Sequence, residues 1–109
     1  MTRTEKCKVI RDVLLSVLPN SVFHYIASTK HGDEYIVWAE EESADLKADD
    51  RSVEVAMTGT IDLFTKTEYS PRIDAIEAAL ANAGVNYSIN SVQYETDTNF
   101  IHYEWLWSY

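Results

Sequence analysis

Apolar and polar residues alternate with a period of two through the middle of the chain. Val53, Val55, Met57, Ile61 and Leu63 interleave with Glu54, Thr58, Thr60 and Asp62. Period two puts the apolar set on one face of a pleated strand, so Ser52 to about Lys66 is expected to be a long, central strand covered on one side. Gly59 near its middle suggests a bulge or bend. Earlier, Cys7, Ile10, Val13, Leu14, Val17 and Leu18 recur at three- and four-residue steps, the stripe of an amphipathic helix from about Thr4 to Leu18, ended by Pro19 and Asn20. Val22 to Ile26 and Tyr35 to Trp38 flank the polar turn Lys30-His31-Gly32-Asp33 and suggest a hairpin.

After the long strand the helix signals agree with one another. Ser70 stands as N-cap, Pro71 at the first helical position, Asp74 in the first turn and Gly84 just past the end. Ile73, Ile76, Ala79, Leu80 and Ala83 supply its buried stripe. Tyr87 to Glu95 and Phe100 to Tyr109 then alternate around Thr96-Asp97-Thr98-Asn99, a second hairpin. On its last strand Ile101, Tyr103, Trp105, Trp107 and Tyr109 share one face, and Phe100, His102, Glu104 and Leu106 the other. The fold expected is α+β: a four- to five-stranded, mainly antiparallel sheet with an N-terminal helix and a second helix, about residues 70–83, packed on it. With 109 residues, it forms a single domain, 1–109.

Composition narrows what such a domain does. Eighteen acidic against nine basic residues give a formal charge of -9, which opposes binding to nucleic-acid backbone or an anionic membrane. No run is long and apolar enough for a signal peptide or a transmembrane helix. Cys7 is the single cysteine and reads as a small buried hydrophobe in a reduced, intracellular setting.

Chemistry is sparse. His24, His31 and His102 show no helical pairing and no Cys-His spacing; His102 and Glu104 share a strand face as a two-residue ligand pair, but a catalytic zinc site takes a third protein ligand. The runs Glu40-Glu41-Glu42 and Asp49-Asp50 lack an EF-hand framework and read as solvated charge. No nucleophile elbow, Walker loop or dinucleotide fingerprint occurs. Neither catalytic residue, metal nor cofactor is expected, and the protein is not expected to be an enzyme.

That leaves surfaces. Residues 41–52 carry no apolar period and read as an exposed loop, with Asp45, Lys47, Asp49, Asp50 and Arg51 as candidates to reach a neighbour. Trp105, Trp107 and Tyr109 are candidates for a receiving surface, since aromatic side chains are enriched where subunits meet. Core packing is the alternative for this face, and a mixture is expected, with its inner residues in the core and Trp107 and Tyr109 at the interface.

The run Gly59-Thr60-Ile61-Asp62-Leu63-Phe64-Thr65-Lys66-Thr67-Glu68-Tyr69, with Asn90 to Thr98 and His102-Tyr103-Glu104-Trp105, resembles the tail-terminator or tail-completion proteins that join head and tail in long-tailed phages and prophages. The likeness spans residues 53–109; before that only the order helix, hairpin, loop agrees. It implies an α+β virion subunit, assembled in the host cytoplasm, that forms a homo-oligomeric ring, typically a hexamer. The ring would cap the tail tube protein and meet the head-connector protein, without sequence-specific nucleic-acid or membrane binding. Acidity alone admits a second reading, an inhibitor or DNA mimic that occupies a basic nucleic-acid enzyme.

Overall fold

A computed structural model describes residues 1–41 and 56–109. In chain order its elements are α1 (Arg3–Val17), β1 (Val22–His24), β2 (Glu34–Glu41), β3 (Thr58–Thr65), α2 (Pro71–Asn82), β4 (Asn86–Glu95) and β5 (Phe100–Ser108). The strands form one mixed sheet in the order β1-β2-β3-β5-β4, and the domain is α+β, as its residue pattern indicates. The expected strand from Ser52 begins, among the described residues, at Thr58; Ser52 to Val55 lie outside them.

Both helices start on local chemistry. Thr2 Oγ1 accepts from Glu5 N (3.1 Å) while Glu5 Oε1 accepts from Thr2 N (2.8 Å), a reciprocal capping box. Ser70 accepts from Arg72 N, Pro71 opens α2, and Gly84 turns the chain out at φ +74°. The helices lie against one face of the sheet. Ile10 and Leu14 of α1 and Ile76 and Leu80 of α2 meet Ile36, Trp38, Ile61, Leu63, Trp105 and Trp107 in a single core.

β1 and β2 do not form a hairpin. They run parallel, with Val22 opposite Ile36 and His24 opposite Trp38. Tyr25 leaves β1 at φ +73°, a left-handed conformation uncommon for a bulky residue, and its N–H is bonded to Trp38 O (2.9 Å). The chain thus swings away and returns to enter β2 in the same direction.

Gly59 causes no bulge: β3 pairs without a register shift against both β2 and β5. The irregularity is in β4, between Ile89 and Ser91. It inserts Asn90 as an extra residue, and this changes which side chains share a face. Tyr87 and Ile89 stand opposite Trp107 and Trp105, and beyond the bulge Val92 and Tyr94 stand opposite Tyr103 and Ile101. A strict period of two would have sent Val92 and Tyr94 to the other face.

Candidate functional site

The residues proposed for contact from sequence fare differently. Asp45, Lys47, Asp49, Asp50 and Arg51 lie outside the described residues. Trp105 and Trp107 are 0% and 2% exposed, buried beneath the helices, which corrects their assignment to a receiving surface. The physical reason is topological: β5 sits between β3 and β4, so its helix-side face is interior. Each indole N–H also has an internal acceptor, Glu77 Oε2 at 2.8 Å for Trp105 and Thr60 O at 3.2 Å for Trp107. Tyr109 is half-buried against this core, its backbone exchanging two hydrogen bonds with Met57 (2.8 and 2.9 Å).

The apolar surface lies one strand further out. Tyr87, Ile89, Val92 and Tyr94 project from β4 on the helix side but beyond the helices' cover, with Ile89 50% and Tyr94 61% exposed. β4 closes the sheet order, so one of its backbone edges is unpaired among the described residues. Within Asn86–Glu95 there is no Lys, Arg or Pro, the residues that commonly blunt such an edge. Beside it opens a groove of about 610 Å³ lined by Lys66, Glu68, Val92, Tyr94, Asn99 and Ile101. The sequence signal for this ledge was the spacing itself: apolar residues at 87, 89, 92 and 94 keep one face only if one residue between 89 and 92 is extra.

Two polar clusters sit elsewhere on the sheet. At the β1 end, Glu40 is a hub: His24 Nε2 lies 2.7 Å from its Oε1, the Cys7 thiol donates to its Oε2 (3.3 Å), and the Tyr25 hydroxyl donates to it as well. Burial pushes the Glu40 carboxyl up, but donation from its own backbone N–H, His24, Tyr25 and Cys7 outweighs this and holds it at about 2. Burial and the Glu40 charge raise the Cys7 thiol, which makes it a poor nucleophile. His24 is stacked between Tyr25 and Trp38, at centroid distances of 3.7 and 3.9 Å. The hub fastens α1, β1 and β2 together.

The second cluster is on the face opposite the helices. Asp62 of β3 is the cross-strand partner of Glu104 of β5, and His102 follows two residues along the same face. His102 Nε2 is 2.7 Å from Asp62 Oδ1, and Asn90 Nδ2 donates to Glu104 Oε1 at 2.7 Å. The bond to Asp62 raises the His102 pKa against the opposing effect of burial. From sequence, only His102 and Glu104 could be placed together; Asp62, 40 residues away, required the strand register.

Taken as a class, this is a two-layer α+β domain with an uncovered apolar edge strand. Comparison with family models, curated proteins and solved structures finds no match for the chain.

Proposed function

We propose that the chain is a structural assembly subunit, one member of a homo-oligomeric ring like those of phage tail terminators, which caps a tail tube and meets the head connector. The observation that carries this reading is the β4 ledge. Four apolar side chains stand exposed along one strand whose outer edge is unpaired among the described residues, while the indoles of Trp105 and Trp107 on the neighbouring strand are buried in the core. Long apolar edges without protecting charge are sites of association. In a ring each copy offers the ledge to a different patch on the next copy, so that contacts repeat until the circle closes. The resemblance of residues 53–109 to tail-terminator strands supplies the biological setting, and the acidic surface suits a passage through which DNA slides without adhering.

The deciding experiment is electron microscopy of phage or prophage particles made without the gene. The expected result is tails of unregulated length that fail to join heads; tails of normal length joined to heads would overturn the proposal. Salt-sensitive capture by a basic nucleic-acid enzyme would instead favour the inhibitor reading.

A further inference from the structure

The geometry points to a divalent-cation site on the open face of the sheet, with His102 Nε2 and the carboxylates of Asp62 and Glu104 as protein ligands and zinc as the fitting ion. Each offers one ligand atom, and the three atoms lie within 4.8 Å of one another. Zinc ligands at about 2.0–2.2 Å from the metal sit about 3.3 Å apart in a tetrahedron, so side-chain adjustments on the order of an ångström bring the trio onto one ion. Three protein ligands leave the remaining coordination positions to water.

Three further features distinguish the trio from acids merely scattered on a surface. It stands on two adjacent, regularly paired strands, β3 and β5, and not on loops. Its members are oriented by neighbours: Phe64 stacks on the His102 ring at 4.2 Å and 18°, and Asn90, delivered by the β4 bulge, holds Glu104 Oε1. Finally, Asp62 and Glu104 are like charges directly opposite across an antiparallel pair, an arrangement that costs stability without a counter-charge. The surrounding positions on that face, Val37, Thr60, Phe64, Leu106, Ser91 and Gln93, carry no positive charge. His102 already pairs with Asp62 at 2.7 Å, and a cation held by all three ligands compensates both carboxylates at once. An imidazole with two carboxylates selects a first-row transition ion over calcium or magnesium, which prefer all-oxygen sets.

The test is a zinc titration of the purified chain followed by the imidazole ¹⁵N resonances of its histidines. The expected result is a coordination shift at His102 Nε2 saturating at one equivalent, with His31 unmoved, and a melting temperature that rises with zinc. Asp62→Asn and Glu104→Gln each weaken binding by at least about tenfold, while His31→Gln leaves it unchanged. A His102 resonance that stays fixed at saturating zinc would overturn the site, whatever the variants do. Folded Asp62→Asn and Glu104→Gln proteins that bind zinc as the unmodified chain does would overturn it equally.

Discussion

The Trp107 indole occupies the space that a side chain at Gly59 would need. The two residues are cross-strand partners, and a β-carbon at position 59 would fall against the ring and against the carbonyl oxygen of Ala39. Gly59→Ala should therefore destabilise the fold by about 1–3 kcal/mol, because a backbone carbonyl cannot move aside as a flexible side chain does. Urea unfolding measures this, and an unchanged midpoint would show the contact to be slack.

The Glu40 hub predicts an acid-side loss of stability. The folded carboxyl is held at about 2 against an ordinary 4.5, so it binds protons less readily folded than unfolded. Its contribution is complete above about 4.5 and disappears as pH falls through about 2, amounting to no more than about 3 kcal/mol. Glu40→Gln removes this component. The difference in unfolding free energy between the two proteins should shrink across that window; a constant difference would remove Glu40 as its source.

Ser70 carries two duties at once. Its Oγ caps α2 at Arg72 N (3.2 Å) and donates to Glu34 Oε2 (2.5 Å), which also accepts from Thr65 Oγ1 (2.8 Å). Ser70→Ala loses both and should cost about 1–2 kcal/mol by chemical denaturation. A cost of less than about 0.5 kcal/mol, typical of unconstrained surface sites, would contradict the double role.

Ile89→Lys and Val92→Glu place charge on the β4 ledge where the side chains are already half in solvent. Monomer stability should change by less than about 0.5 kcal/mol, while self-association, followed by light scattering after size exclusion, is lost. Variants that assemble as well as the parent chain would move the contact elsewhere.

How far the sequence could be read depended on how local each determinant was. α2 was legible because Ser70, Pro71, Asp74 and Gly84 act within one or two turns of themselves. The final hairpin was legible because its loop of four polar residues separates two alternating runs. The direction of β1 was not, since it hinges on a left-handed Tyr25 stabilised by contacts with Trp38 and Glu40 that exist only in the folded chain. Gly59 was correctly marked as special but for the wrong reason: what requires it is the close approach of Trp107 and Ala39, a relationship between strands about 20 and 48 residues away. Trp105 and Trp107 were visible as an aromatic face, yet whether that face turns inward depends on β5 lying between β3 and β4, which no run of residues encodes by itself.

That placement of β5 also orders events during synthesis. Residues 100–108 are the last of the sheet to be made, yet they join β3 to β4 and bring in the two indoles at the centre of the core. A growing chain that has reached only Glu95 holds β2 and β3 with one long side unsatisfied and β4 with nothing to pair against. Such a chain cannot close its core until residues 100–108 have been added. The domain is therefore expected to acquire its fold in one late step, after residues 100–108 have cleared the ribosome, and to depend until then on whatever shields nascent apolar segments in the cell.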